Sequence, residues 1–160
     1  ESSNKIIQEG EIVSFDTDMV GPYGYCADIS RTFVCGNKFN DYQKKLYHTA
    51  VDQIDYNSRL IKAGVSFKEF TEKAWTLPNK YYGNRYSVML HGIGLCDEWP
   101  AIRYPTDGGE RGGTFQKNMT ITLESYIGEV GGNEGVKLEQ QYLVGENGLE
   151  LMSHHPLEKI

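Results

Sequence analysis

Two hydrophobic periods divide the chain. Ile12, Val13 and Phe15 form a short apolar run that predicts a strand over residues 11–18. Gly21-Pro22-Tyr23-Gly24 is a turn signal, and a second strand is expected over 25–34, closed by Gly36-Asn37. The period then lengthens. Leu46, Ala50 and Ile54 recur every four residues, with Val51 and Ile61 on the same face, which predicts a helix over 41–63. Asp41 is its expected N-cap and Gly64 its expected stop. Ser66-Phe67-Lys68-Glu69 has the form of a capping box and opens a second helix, which Pro78 should end or kink. Beyond Gly83 the short period returns. Strands are expected over 88–91, 99–104, 119–127 and 136–144, with glycine-rich segments at 108–113 and 128–135. Strands around a helical middle predict an α+β fold, with helices on one face of a curved antiparallel sheet.

The 160 residues suit one domain, and 39% apolar with 24% charged residues suits a folded chain. The net charge of −6 argues against nucleic-acid or anionic-membrane partners, which favour a basic face. No apolar stretch is long enough to span a bilayer. The first ten residues are polar and lack the apolar region of a signal peptide, so a cytoplasmic location is expected. Cys26, Cys35 and Cys96 are odd in number and form no CxxC pair, which fits a reducing compartment and buried small apolar side chains. The chain opens on Glu rather than Met and runs quickly into a strand, so a processed product or a piece of a longer protein is expected.

Acids inside strands carry the chemistry. Asp16, Asp18, Asp28, Glu124 and Glu139 all lie in apolar or β-prone surroundings, and His91 lies in a similar one. An odd-numbered loop centred on Tyr23 sets Asp18 directly across from Asp28, where facing Cβ atoms are about 4.5–5.5 Å apart. Asp16 shares a face with Asp18. The second hairpin can bring Glu124 and Glu139 together, although its long turn leaves the register open. Taken singly, each residue has a plainer reading as a turn acid, an exposed strand position or a satisfied core histidine. Together they need one explanation, because buried carboxylates are usually paired or metal-bound. An oxygen-rich set with one imidazole suits Mn, Fe, Co or Zn, and a bridging carboxylate would hold two ions about 3.5–4 Å apart.

These motifs form an ordered series: Asp-x-Asp, then Gly-Tyr-Cys-Ala-Asp-Ile-Ser-Arg-Thr at 24–32, His-Gly-Ile-Gly-Leu at 91–95, Leu-Glu-Ser at 123–125 and Lys-Leu-Glu at 137–139. The series resembles the "pita-bread" superfamily of creatinase, prolidase, aminopeptidase P and methionine aminopeptidase. The resemblance covers nearly the whole chain. It implies a pita-bread fold incomplete at its N-terminal end, with residues 1–160 forming the C-terminal portion of one catalytic domain. It also implies two divalent ions on Asp28, His91, Glu124 and Glu139, with Glu139 bridging. The family's remaining aspartate usually lies eleven residues before the second, where this chain has Thr17. Asp16, Asp18 or both must therefore supply that ligand.

Xaa-Pro peptidases of the superfamily carry a histidine four residues before the ligand histidine and another after it. Here the first place holds Ser87 and the second Asp97. The stretch 91–100, with Asp-Thr-Asp at 16–18 and Glu-Gly-Val-Lys-Leu-Glu at 134–139, is similar to the dimethylsulfoniopropionate lyases built on this scaffold. That resemblance implies a carbon–sulfur lyase with Asp97 as the base and Trp99 or Tyr86 as the rest for a sulfonium cation. A metal-dependent Xaa-Pro peptidase acting on dipeptides and a metal-free binding module are the alternatives. The partners expected are a small molecule or a dipeptide, with a homodimer left open.

Overall fold

The computed structural model describes residues 4–36, 38–157 and 160. Asn37, part of the expected closing turn, lies outside them. Strands β1 (Ile12–Val20) and β2 (Cys26–Val34) pair as an antiparallel ribbon around a short 3-10 turn, Pro22–Gly24. Helices α1 (Asp41–Ser58), α2 (Phe67–Lys73) and α3 (Asn79–Tyr82) follow. The remaining strands are β3 (Val88–Gly92), β4 (Ala101–Arg103), β5 (Thr120–Gly128), β6 (Gly135–Val144) and β7 (Leu149–Leu151), in a second antiparallel sheet ordered β4-β3-β5-β6-β7. Among the described residues, no helix is long and apolar enough to cross a membrane.

Strand alternation sorts the two faces of this sheet. Ile121, Leu123 and Ile127 of β5, with Val136 and Leu138 of β6, are buried in one core with Leu46, Tyr47, Ala50 and Ile54 of α1. Ser125 lies on that helical side and donates to Gln53 of α1 at 2.6 Å. The opposite face carries Thr122, Glu124 and Tyr126 of β5 and Lys137, Glu139 and Gln141 of β6. The ribbon packs against this second face through side chains. Thr32 donates to the Lys137 carbonyl at 2.8 Å, and the buried Arg31 donates to the Glu139 carbonyl at 2.6 Å and to Gln140 Oε1 at 2.5 Å. The same guanidinium donates to the carbonyls of His155 and Pro156, which draws the C-terminal segment against β6.

The helix ends differ from expectation. Asn40, not Asp41, caps α1, in a complete capping box with Gln43. The helix stops at Ser58, five residues short of the expected end. There the buried Asn57 turns its side chain to accept from Trp75 N at 2.9 Å. Ser66 caps α2 as expected, but Glu69 engages Lys73 at 2.7 Å and does not complete the box. Pro78 begins α3. The cysteines are less buried than expected: Cys26 and Cys35 are half-buried and Cys96 is exposed.

Candidate metal centre

The ribbon pairs in the register its turn predicts, with Asp18 opposite Asp28 and Asp16 opposite Ser30. In the second sheet Glu124 stands opposite Glu139. β3 adds His91 opposite Thr122, one strand over from these glutamates. Three strands of one sheet and two of the ribbon thus turn ionisable groups toward a common space.

The His91 ring reaches three carboxylates at once. Its Nε2 lies 3.5 Å from Asp28 Oδ2, 3.4 Å from Glu124 Oε1 and 3.3 Å from Glu139 Oε1. Its Nδ1 is 2.9 Å from the Gly92 carbonyl, so that nitrogen donates and Nε2 is the one presented to the acids. Ligand atoms of Asp16, Asp28 and Glu139 also lie within 4.8 Å of one another, as do those of Asp28, His91 and Asp97. Asp18 belongs to none of these triplets, but it faces Asp28 across the ribbon. The six acids and one imidazole expected at the centre therefore meet in one place.

Electrostatics explain what such a cluster needs. Burial, then the neighbouring Glu139, pushes the Glu124 carboxyl up to about 8. Burial and the facing Asp28 raise Asp18, and burial raises Asp28. Burial opposes a charged His91, yet Asp28 and Glu139 overcome it and hold its pKa at about 11. Three buried oxygens, Asp28 Oδ1, Glu124 Oε1 and Glu139 Oε1, have no hydrogen-bond partner among the described residues. A bare buried carboxylate oxygen is costly, and a divalent ion is the partner such hard donors accept. The donor set fits the metal that the motif series implies.

Lys137 was not singled out from the sequence. Its Nζ lies 2.6 Å from Asp16 Oδ2, 3.0 Å from Glu124 Oε2 and 3.6 Å from Glu139 Oε2. Burial works against this ammonium, and Glu124 and Glu139 outweigh it. Each glutamate is divided as a result, one oxygen on Lys137 and the orphaned one toward His91. Ser30 lies against both Asp16 and Glu139. Gln141 Oε1 accepts from Asp28 N at 3.4 Å. The available signal was strand alternation, since Lys137 and Gln141 flank Glu139 at two-residue spacing.

Asp97 arrives on a loop that Gly92 admits. A Cβ at Gly92 would collide with the Trp99 carbonyl and stand 2.7 Å from Pro100 Cδ, so bare backbone lets the chain cross beside His91. Trp99 is 55% exposed, and the Arg111 guanidinium sits 5.6 Å from its ring centre. Tyr86 is 38% exposed, with Lys137 Nζ 4.9 Å from its ring centre. Both rings expected to receive a substrate cation thus already face a cation of the chain.

Comparison with known proteins gives the family and the fold. The model of metallopeptidase family M24 matches residues 1–146. The chain is 37% identical over 162 residues to the dimethylsulfoniopropionate lyase DddP of Roseovarius nubinhibens, covering 99% of this chain and 36% of that protein. Among solved structures, the X-Pro aminopeptidase of Thermotoga maritima superimposes with a TM-score of 0.78 at 26% identity, covering 99% of this chain and 44% of that one. The prolidase of Pyrococcus horikoshii superimposes at 0.79 with 27% identity and the same coverage. The pita-bread fold is therefore the fold of this chain, which spans well under half the length of these relatives.

Proposed function

Because the chain belongs to metallopeptidase family M24, we propose that residues 1–160 are part of one catalytic domain that cleaves a small sulfonium acid by β-elimination. The reading holds that Asp16, Asp18, Asp28, His91, Glu124 and Glu139 carry two divalent ions. Their five carboxylates against the single Lys137 ammonium leave four negative charges, which two such ions balance. When bound, the ions supply Lewis-acid polarisation of a substrate carboxylate, which acidifies the adjacent C–H.

The chain's own residues do the rest. Asp97 takes the proton from the carbon next to the carboxylate. The freed electron pair forms the carbon–carbon double bond, and the carbon–sulfur bond breaks with its pair leaving on sulfur. The products are dimethyl sulfide and acrylate, with the proton on Asp97. A general base in this position contributes about 10²–10⁴-fold.

The observation that carries this reading is the convergence of Asp97 on Asp28 and His91, within 4.8 Å, where the peptidase pattern would bring a histidine. The likeness to the Roseovarius lyase supports it. Metal-loaded protein is expected to release dimethyl sulfide from dimethylsulfoniopropionate, and Asp97→Asn to lose at least about a hundredfold of that rate with metal content unchanged. Equal rates in the two proteins would remove Asp97 from the chemistry.

A second reading, a metal-dependent Xaa-Pro peptidase, is favoured by the likeness to the aminopeptidase and prolidase structures. Ser87 and Asp97 stand where its proton-handling histidines would be. Turnover of Xaa-Pro dipeptides without sulfide release would select it.

A further inference from the structure

Thr122 lies inside the centre, and the scheme above gives it no part. It shares a face of β5 with Glu124, two positions along. Its Cα partners are His91 on β3 and Gln141 on β6, so the three form one row across the sheet. Facing side chains in such a row stand about 4.5–5.5 Å apart at Cβ. Asp28 comes down on this row from the ribbon. Its backbone N donates to Gln141 Oε1 at 3.4 Å, and its Oδ2 lies 3.5 Å from His91 Nε2. Asp28 thus spans the row from one end to the other, with Thr122 as the position between.

The Thr122 hydroxyl is costly where it stands. Thr122 is 0% exposed, and among the described residues its Oγ1 is the one buried hydroxyl without a hydrogen-bond partner. Other hydroxyls of β5 are used by the fold: Thr120 donates to the Ile93 carbonyl and Ser125 to Gln53. Valine at 122 would have nearly the same shape and a similar preference for a strand, and would leave nothing unpaired. Packing and strand preference therefore do not account for the hydroxyl, whereas a partner within the centre does.

Asp28 offers the acceptor. Its Oδ1 is buried and, among the described residues, also without a partner. On its other side the carboxylate faces His91 Nε2, and an imidazole nitrogen that ligates an ion has no proton to donate. A loaded centre thus leaves Asp28 in need of another donor, and Thr122 is the hydroxyl at the middle of the row it spans. Ligating carboxylates are oriented by such outer donors, and loss of one typically costs about 10–100-fold in metal affinity.

We propose that Thr122 is a positioning residue of the metal centre, its hydroxyl donating to the Asp28 carboxylate when the ions are held. This rests on the reading that the cluster carries divalent ions, and it is independent of whether the reaction is an elimination or a hydrolysis.

The test titrates manganese into the chelator-stripped full chain by calorimetry and follows thermal melting of the stripped protein. Thr122→Val is expected to weaken manganese binding about 10–100-fold. The same substitution should raise the melting temperature of the stripped protein by about 2 °C or more, because it removes an unpaired buried hydroxyl. Thr122→Ser keeps the hydroxyl and should bind manganese within about threefold of the wild type. A hydroxyl that served only the fold would instead lower the melting temperature when removed. Unchanged affinity in Thr122→Val, or a stripped variant that melts lower or does not fold, would overturn the proposal. Wild-type protein that binds no manganese retires the metal reading and the proposal together, whereas wild-type binding that Thr122→Val leaves intact retires the proposal alone.

Discussion

Two hairpins build the candidate centre, and they are made differently. β5–β6 lies inside a five-stranded sheet backed by α1, and its acids Glu124 and Glu139 are 4% and 0% exposed. β1–β2 is a separate two-stranded ribbon whose Phe15, Met19 and Val20 are largely exposed. Both place acids face to face, Glu124 with Glu139 and Asp18 with Asp28. The glutamates are thus held by a packed core, whereas the aspartates are held by docking of a ribbon onto β6. A two-stranded ribbon has little stability of its own. Its place along β6 is set by the polar bridges from Ser30, Arg31 and Thr32, with Ile12 and Val34 at its far end packed against the core. The lesson is that one half of the cluster is positioned by hydrophobic burial and the other by hydrogen bonds reaching across.

The largest effect that would sharpen this contrast comes from metal. Manganese at a thousandfold excess over its Kd should stabilise the protein by about 4 kcal/mol. In metal-stripped protein Glu124 holds its proton up to about 8, but releases it near 4.5 once unfolded. The native state then binds more protons across that window, so stability should fall as pH rises from about 5 to 8. His91, held at about 11 against 6.5, extends the fall above neutrality. Thermal melts of chelated protein at three pH values read this directly, and a melting temperature that climbs toward pH 8 would contradict it.

A smaller loss is expected at the bridge between the two hairpins. Arg31→Met removes the donors to Glu139 O and Gln140 Oε1 and should cost about 2–3 kcal/mol in denaturant unfolding. If the ribbon is held mainly by apolar contact, that cost will be absent. The smallest effect belongs to the ribbon's outer face. Phe15 is 59% exposed, and Phe15→Ser should change stability by no more than about 0.5 kcal/mol. A loss above 2 kcal/mol would mean that this side of the ribbon is covered in solution.

The part of this arrangement that local rules govern was legible in the residues. The Asp18–Asp28 pairing followed from the parity of one short turn. The Glu124–Glu139 pairing did not, because the turn 128–135 is long enough to permit several registers. The end of α1 was misread because a buried side chain, Asn57, is employed elsewhere in the fold, a contact invisible in helical periodicity. Asp41 looked like a cap, but the neighbouring Asn40 takes the role by finding Gln43 at the right spacing. Lys137 sits inside a motif that was read for its glutamate. Its importance appears when the fold sets it against Glu124 and Glu139 and the ribbon supplies Asp16 as a further partner from 121 positions away.

Gly92 has a consequence for how the reactive groups are spaced. The loop bearing Asp97 can run beside His91 only because residue 92 presents hydrogen where any other amino acid presents carbon. The crossing of residues 99–100 beside His91 is therefore a clearance measured in backbone thickness. Selection can adjust it only by moving the whole crossing, since no side chain there is available to trim.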